Sequence, residues 1–404
     1  MKIVHTSDWH IGQNFYRYGR EEEFRHFFCR LRNILQEETP DALIVAGDIF
    51  DVPSPSISAI RLYNEEMIKI AGENPGMCMA VIAGNHDSAG RLEMNGELWR
   101  AFNVNVSGTV SRENGKCDID RFIVPVGDAG KPVAAIALIP YISPFNIPGD
   151  GATLDERMYS LYRSVCERMS GLYGNCNIPL IATGHLSVSG MALNPEKNIG
   201  GIDSVDAGCF DVGFSYVALG HIHKAQAVGR ANIRYSGSPL PLSFDEQHVH
   251  SVTVVSFDGK DVSEISVRPI EPLYRVVDIP EQPACFSEVS RLAEAVPEDE
   301  RIYVRANVSI TDRMEPDMYV RLEKCFAGKQ ARLCLVRPFF NAMSEYVGGN
   351  VVRTVSDFQN LSPLDVASVV FRNRYGGDMP DDVKDCFLQA LRMAEKEKKE
   401  DEDK

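Results

Sequence analysis

The chain has 404 residues, of which 44% are hydrophobic and 25% are charged, and its formal net charge is −15 at pH 7. This composition is typical of a globular protein, and the length favours one large domain with smaller attachments. No apolar run approaches the roughly 20 residues that a membrane helix needs. The negative charge argues against a protein that coats nucleic acid through its overall field.

A cytoplasmic location is expected from the N-terminus and the cysteines. The opening MKIVHTSDWH has no apolar core followed by a cleavage site, so no secretion signal is predicted. The ten cysteines are scattered between Cys29 and Cys386 without a CxxC pair, which favours reduced thiols. No GxxxxGKS or GxxxxGKT loop occurs, so any linked nucleotide hydrolysis would belong to a partner chain.

Strand-like apolar runs alternate with amphipathic stretches through the first half of the chain. The pattern predicts strands at 2–7, 41–47 and 77–84, with helices at 19–38 and 58–71. Further strands are predicted at 133–140, 179–185, 216–221, 232–237 and 251–257. The late strands follow each other without helices, which suggests antiparallel pairs. The expected fold class is α/β (α+β, four-layer), with two packed mixed β-sheets flanked by helices.

Three domains are predicted. Two prolines in VRPIEPL end the first domain, at 1–270. A βαβαβ pattern then predicts a small α/β capping domain at 271–347, with strands at 273–280, 302–310 and 331–337. A helical segment at 348–404 follows, with one helix capped by Ser362 and another from Asp381. Each helix has one apolar stripe, which either folds back on the protein or binds a partner.

Five short motifs each end a predicted strand: SDWH at 7–10, GDIFD at 47–51, GNHD at 84–87, GH at 184–185 and GHIH at 220–223. One such motif alone is weak, because a single strand-end histidine is commonly a hydrogen-bonded structural residue. Together they bring many polar side chains to one rim of the sheets, where burying them unpaired would be costly. The predicted site residues are Asp8, His10, Asp48, Asn85, His86, His185, His221 and His223.

The residue types indicate metal-dependent phosphoester hydrolysis. Carboxylate and imidazole ligands without thiolates suit manganese, iron, cobalt or zinc better than calcium or an iron–sulfur cluster. Phosphodiester hydrolysis needs hydroxide at neutral pH and neutralisation of the phosphoryl charge, and two cations about 3.5–4 Å apart can provide both. A bridging carboxylate would offset the repulsion between the cations. Glycine before each ligand allows a sharp turn or a close phosphate approach.

These motifs resemble the D-x-H, GD-x-x-D, GNHD, GH and GH-x-H pattern of the calcineurin-like metallophosphoesterases. Longer strings are similar to the members of this family that serve as nuclease subunits beside a coiled-coil ATPase. These strings are HTSDWHIGQNF at 5–15, IVAGDIFDVPSPS at 44–56, AGNHDS at 83–88, ATGHLSVSG at 182–190, ALGHIHKAQ at 218–226 and RYSGSPLPLSFDE at 234–246. The resemblance covers the first domain and fades after about residue 270.

The resemblance implies two divalent ions, manganese in this subfamily, that share Asp48. One ion would be held by Asp8, His10, Asp48 and His223, and the other by Asp48, Asn85, His185 and His221. His86 would contact the scissile phosphate and help to expel the leaving oxygen, oriented by Asp87.

The resemblance also implies a biological role. It implies a DNA exonuclease and hairpin endonuclease of DNA repair and recombination. The chain would act as a homodimer within a heterotetramer, and the ATPase would bind the C-terminal helices.

Several alternatives remain open at this point. Asp87 also suits a turn-capping role, and Asp51 suits either a contact behind the ligands or helix entry before Pro53. Serines in RYSGSPLPLSFDE have no evident base beside them, so a tight turn beneath the site is predicted. The residues Trp9, Phe15, Arg17 and Arg20 could line a nucleic-acid groove, or they could be surface helix-entry residues with a packed aromatic.

Two rival functions use the same fold. One is an enzyme that acts on phosphoproteins, cyclic nucleotides or small phosphomonoesters. The other is a binding protein without catalysis, which would have lost ligands or His86.

Overall fold

The computed structural model describes residues 1–110, 112–113, 116–128, 130–148, 151–189, 204–310 and 317–340, with 346–347, 350–351, 364, 367–368, 371, 379–381, 383–388 and 391 beyond them. The strands are β1 (Lys2–Thr6), β2 (Asn14–Phe15), β3 (Tyr18–Gly19), β4 (Ala42–Ala46), β5 (Cys78–Ile82), β6 (Val104–Ser107), β7 (Arg112–Glu113), β8 (Lys116–Cys117), β9 (Ile123–Asp128), β10 (Lys131–Ala137), β11 (Leu180–His185), β12 (Val188–Ser189), β13 (Val205–Asp206), β14 (Tyr216–Gly220), β15 (Gln226–Val228), β16 (Arg230–Tyr235), β17 (Ser251–Asp258), β18 (Asp261–Pro269), β19 (Arg275–Ala284), β20 (Ile302–Ile310), β21 (Arg332–Phe340), β22 (Tyr346–Val347) and β23 (Asn350–Val351). The helices are α1 (Glu21–Glu38), α2 (Ile57–Glu73), α3 (Ala89–Glu93), α4 (Gly96–Arg100), α5 (Leu154–Tyr173), α6 (Phe286–Glu294) and α7 (Met318–Cys325).

Two six-stranded sheets form the first part of the chain. The first has the order β18-β17-β1-β4-β5-β6. Strands β1, β4, β5 and β6 run parallel, and β17 pairs antiparallel with both β1 and β18. The second has the order β15-β16-β14-β11-β10-β9. Both sheets are mixed, as predicted. Every residue of β4 and β5 is buried, which explains why these strands read as continuous apolar runs.

Side chains alternate between two cores along each central strand. Ile3 and Ile44 face a core between the sheets, together with Ile136 and Ala218 of the second sheet. Val4 faces the outer core with the apolar sides of α1 and α2. Helix α5 covers the outer face of the second sheet. This arrangement gives four layers, helix, sheet, sheet and helix, and confirms the predicted fold class.

The expected antiparallel pairing of the late strands is partly wrong. Strand β17 does pair antiparallel with β1. Strand β14, however, lies parallel to both β11 and β16. After β14 the chain forms β15 at the edge of the sheet. A hairpin then leads into β16, which runs antiparallel to β15 and therefore parallel to β14. The sequence pattern also missed α5, whose start is fixed by a capping box between Thr153 and Glu156.

A three-stranded parallel sheet, β19-β20-β21, follows the two large sheets. With α6 and α7 it forms the βαβαβ unit predicted from the sequence, and we call residues 275–340 the capping module. It has its own apolar core, which includes Val289, Val304 and Leu322. A second cluster joins the capping module to the first domain through Phe15, Phe244, Tyr274 and Tyr303. The exact domain boundaries remain a prediction.

The structure describes part of the predicted C-terminal helical segment. Residues 364, 367–368, 371, 381, 383–388 and 391 are helical, as expected from the two apolar stripes. The boundary at 348 and the cap at Ser362 lie outside the described residues. Within the described part of the chain, no helix combines the length and apolar character needed to cross a membrane.

Candidate metal centre

The five motifs meet at one edge of the two large sheets. SDWH, GDIFD and GNHD follow the parallel strands β1, β4 and β5 of the first sheet, while GH ends β11 and GHIH follows β14 in the second. Carboxyl ends of parallel strands share an edge, and face-to-face packing brings the two edges together. The structure therefore gathers residues that are more than 200 positions apart in sequence.

The predicted ligands form a continuous cluster around Asp48. Asp48 Oδ2 lies 3.5 Å from His10 Nε2 and 3.3 Å from His185 Nε2. Potential ligand atoms of Asp8, Asp48 and His185 lie within 4.8 Å of one another, and those of Asp8, His10 and His223 form a second such group. The carboxylate of Asp48 thus stands between the two sets of side chains.

Asn85 completes the cluster on the side of the second sheet. Its Oδ1 lies 3.0 Å from His185 Nε2 and 3.0 Å from His221 Nδ1. All seven side chains predicted as ligands are therefore brought together: Asp8, His10, Asp48, Asn85, His185, His221 and His223.

The backbone is strained where it carries these ligands. Asp8, His10, Asp48 and His221 all have positive φ, at 53°, 46°, 51° and 98°. Such angles are uncommon for residues other than glycine and cluster at functional sites. Backbone hydrogen bonds hold the first turn in place, from Asp8 N to Gly47 O at 2.9 Å and from His10 N to Asp48 O at 3.0 Å. The sequence carries no sign of this strain.

Hydrogen bonds orient two of the imidazole rings. His185 Nδ1 donates to the carbonyl oxygen of Ala46 at 2.8 Å, so that Nε2 faces Asp48 and Asn85. His223 Nδ1 donates to Glu246 Oε1 at 2.9 Å. A carboxylate behind a ligating histidine fixes its tautomer and strengthens its basicity. Sequence reasoning missed Glu246, which lies in the RYSGSPLPLSFDE string but has no ligand-like spacing from His223.

Electrostatics favour a cation in the cluster. Burial alone would lower the pKa of His185, but the adjacent Asp48 carboxylate reverses the effect and raises the pKa to about 9. Burial likewise opposes ionisation of Asp48, yet His185 and His10 hold its pKa below the ordinary value. Burial and the nearby His185 lower the pKa of His221 to about 4. The negative charge of Asp48 therefore stabilises positive charge within this buried cluster.

The donor set fits divalent metal ions. Both ring nitrogens of His10 are buried and have no hydrogen-bond partner among the described residues, an orphaned state that metal ligation would satisfy. The contacts of His10 to Asp48 and Asp51 are within 3.5 Å but lack hydrogen-bond geometry. The gathered atoms are imidazole nitrogens and carboxylate or amide oxygens without thiolates, as predicted from the sequence.

The predicted orientation of His86 by Asp87 needs correction. His86 Nδ1 donates to the backbone carbonyl of Asp51 at 2.8 Å, so Asp51 rather than Asp87 holds the ring. The Asp87 carboxylate instead accepts backbone N–H groups of Ile49, Phe50 and Gly84 at 2.8–3.0 Å. Asp87 thereby fastens the loop that carries Asp48 to the loop that carries His86, in agreement with the turn-capping alternative.

Asp51 has a second contact that bears on its open role. Its Oδ1 lies 3.3 Å from His10 Nδ1. His10, Asp51 and His86 also form a third group of potential ligand atoms within 4.8 Å. This group makes a ligand role the competing interpretation of His86.

Small and hydroxyl residues support the ligands from below. Ser7 Oγ donates to Asp8 Oδ2 at 2.5 Å and lies 2.9 Å from Ser236 Oγ, which confirms that the RYSGSPLPLSFDE turn packs beneath the site. Gly47 has φ 89°, and a Cβ there would overlap the ring of His185. A Cβ on Gly84 would overlap Asp48 in the same way.

Of the two alternatives left open for the residues near the first motif, the nucleic-acid groove is excluded for three of the four residues by their burial. Trp9, Phe15 and Arg20 are almost fully buried, at 0%, 1% and 2% exposure. Trp9 packs edge-on against the phenylalanines of α1. Phe15 stacks on Tyr303 at 4.5 Å between ring centroids. The packed aromatics agree with the helix-entry alternative, whereas Arg20 is buried rather than at the surface.

A cavity of about 320 Å³ opens beside the ligand cluster. Asn85, His185 and His221 form one wall. The remaining lining is mainly apolar and includes Tyr141, Ile142, Leu154 and Met158. Pockets of this size and lining bind small organic groups.

Fold and site together define a metal-dependent phosphoesterase. The family model of the calcineurin-like phosphoesterases matches residues 1–225. The SbcD component of nuclease SbcCD from Rhodobacter capsulatus is 36% identical over 274 residues, covering 64% of this chain and 67% of that protein. The same component from Escherichia coli K12 is 35% identical over 290 residues, covering 68% and 70%. That of Bacillus subtilis is 28% identical over 418 residues, covering 98% and 99%.

The chain belongs to the calcineurin-like phosphoesterase family, among the relatives of the SbcD component of nuclease SbcCD. It is a phosphodiesterase that depends on divalent metal ions.

Proposed function

We propose that this chain is a DNA nuclease subunit that cuts phosphodiester bonds with two manganese ions. The observation that carries the proposal is the cluster around Asp48, because its carboxylate lies between two sets of ligand atoms. When bound, two such ions supply hydroxide at neutral pH and neutralise charge on the phosphoryl oxygens. One ion is assigned to Asp8, His10, Asp48 and His223, and the other to Asp48, Asn85, His185 and His221.

His86 is the proposed catalytic residue. His86 is exposed and its Nδ1 donates to the carbonyl of Asp51, so Nε2 is the nitrogen available to a substrate. A protonated Nε2 donates to the scissile phosphate and then gives its proton to the leaving oxygen. Asp87 holds the loop of His86 beside the loop of Asp48, because its carboxylate accepts backbone hydrogen bonds from both loops.

The cavity beside the cluster supports a nucleic-acid substrate over a simple phosphomonoester. It begins at Asn85, His185 and His221 and continues into apolar and aromatic side chains. A nucleoside attached to the bound phosphate offers a flat apolar group to such a surface. The inactive binding protein is disfavoured, because every predicted ligand and His86 is present.

The direct test compares substrates in the presence of manganese. Labelled duplex and hairpin DNA should be degraded, and p-nitrophenyl phosphate should be hydrolysed much more slowly. Asp48→Ala is the inactive control. Efficient hydrolysis of the monoester with intact DNA would contradict the proposal and favour the rival phosphoesterase function.

We further propose that the chain works with an SbcC-like coiled-coil ATPase in DNA repair and recombination, as a homodimer within a heterotetramer. The relatives named as components of SbcCD support an assembly. The net charge of −15 also supports a partner that helps to hold DNA.

The C-terminal helices are the proposed binding site for this ATPase. A chain that ends near residue 348 should stay folded, bind two metals and hydrolyse a small phosphodiester, yet fail to co-purify with the ATPase. Unchanged co-purification would place the partner site elsewhere, and loss of fold would assign the helices to the protein's own core.

A further inference from the structure

The loop between β16 and β17, residues 236–250, carries the carboxylate that orients a predicted metal ligand. Glu246 Oε1 accepts from His223 Nδ1 at 2.9 Å, while its Oε2 accepts from Leu242 N at 3.0 Å. Both oxygens are therefore engaged, and the position of the carboxylate depends on the shape of its loop. The loop has no helix or strand to hold that shape.

The capping module contacts this loop on both sides of Glu246. Arg305 on β20 makes a bidentate ion pair with Asp278 on the neighbouring strand β19, at 2.5 and 2.9 Å. Arg305 Nη1 also lies 3.4 Å from Asp245 Oδ1, and Gln247 Nε2 donates to Asp278 Oδ2 at 3.0 Å. The residues before and after Glu246 are thus tied to one ion pair of the module.

The aromatic residue Phe244 gives the loop a further contact with Arg305. Phe244 is buried, with 1% of its surface exposed, and its ring lies 5.3 Å from that of Phe15. The guanidinium carbon of Arg305 stands 5.1 Å from the ring centre of Phe244. Arg305 therefore contacts the loop through a charge and through an aromatic face.

We propose that Asp278 and Arg305 are positioning residues for the metal centre, and that docking of the capping module sets the affinity of the ion held by His223. This inference rests on the proposed function, because it takes His223 as a ligand. Arg305 and Asp278 of the module contact residues 244, 245 and 247. These residues hold Glu246 in place, and Glu246 fixes the His223 ring. A movement of the module relative to the first domain would then loosen one ion and leave the other.

The test measures binding of Mn²⁺ alone to the full chain by isothermal titration calorimetry and electron paramagnetic resonance. Glu246→Ala should weaken one of two ions by about 10–100-fold, the usual effect of removing a partner behind a ligand. Glu246→Gln retains an oxygen acceptor and should recover part of that affinity. Arg305→Gln and Asp278→Asn should each weaken the same ion by at least about threefold, within the upper limit set by Glu246→Ala.

A matched control is Arg291→Gln, which removes an exposed arginine that pairs with Glu288 within α6 of the same module. It should leave both affinities unchanged. The double variant Glu246→Ala with Arg305→Gln should bind Mn²⁺ as weakly as Glu246→Ala alone, because both substitutions act through one route.

Three results would overturn the inference. Arg305→Gln and Asp278→Asn could match the Arg291→Gln control, or the two effects in the double variant could add. Equal weakening of both ions, with a lower thermal midpoint of the metal-free chain, would mark a general structural role. An unmodified chain that binds fewer than two ions would instead contradict the proposed two-metal function itself.

Discussion

Replacement of His86 by glutamine should remove chemistry and leave metal binding intact. The backbone N–H of His86 donates to Asp48 Oδ1 at 2.9 Å, and this bond survives the substitution. The lost group is the imidazole Nε2, which the bond from Nδ1 to Asp51 leaves open to substrate. A general acid contributes about 10²–10⁴ in rate, which corresponds to roughly 3–5 kcal/mol of transition-state stabilisation.

The assay separates proton donation from other roles by the choice of leaving group. An oligonucleotide expels an alkoxide, which needs a proton, whereas thymidine 5′-(p-nitrophenyl phosphate) expels p-nitrophenolate, which does not. His86→Gln should therefore lose the full factor on the oligonucleotide and much less on the p-nitrophenyl ester. The matched control is His26→Gln, which replaces a partly exposed histidine on α1 outside the ligand cluster.

Two results would refute this reasoning. Equal losses on both substrates would show that His86 does not protonate the leaving oxygen. Loss of a metal ion in His86→Gln would make His86 a ligand, as its grouping with His10 and Asp51 allows.

Contacts of single residues lead to three further predictions. Asp48→Asn should lower metal occupancy at both positions, and two tightly bound ions by metal analysis would disprove the bridge. Tyr303→Phe removes a hydroxyl that donates to the buried Glu23 at 2.5 Å, so chemical denaturation should show a loss of about 1–3 kcal/mol. Arg305 holds the pKa of Asp278 below its usual value, so the stability from this pair is present above about pH 4 and is lost as the pH falls further. The urea midpoint of the unmodified chain should thus fall more between pH 5 and 3 than that of Asp278→Asn, and parallel curves would contradict the assignment.

The fold and the ligand cluster could be predicted from the sequence for the same reason. Continuous apolar runs mark parallel strands, and polar residues directly after such strands must share one edge of a sheet. The role of Glu246 could not be predicted, because its contact with His223 depends on the conformation of the loop at 236–250. The burial of Phe15 was also hidden, since its ring stacks on Tyr303 of a module nearly 300 positions away. Long-range contacts of this kind leave no local pattern.

The distance along the chain between the first and last parts of the site has a consequence during synthesis. Strand β1 carries Asp8 and His10 at its end, yet its antiparallel neighbour β17 is made about 250 residues later. Domains emerge from the ribosome at about 5–20 residues per second, so roughly 10–50 s separate the appearance of Asp8 from that of Glu246. Throughout that interval the nascent chain lacks part of its metal centre. The cluster of predicted ligands and the carboxylate behind it is therefore complete only after nearly two thirds of the polypeptide has been translated.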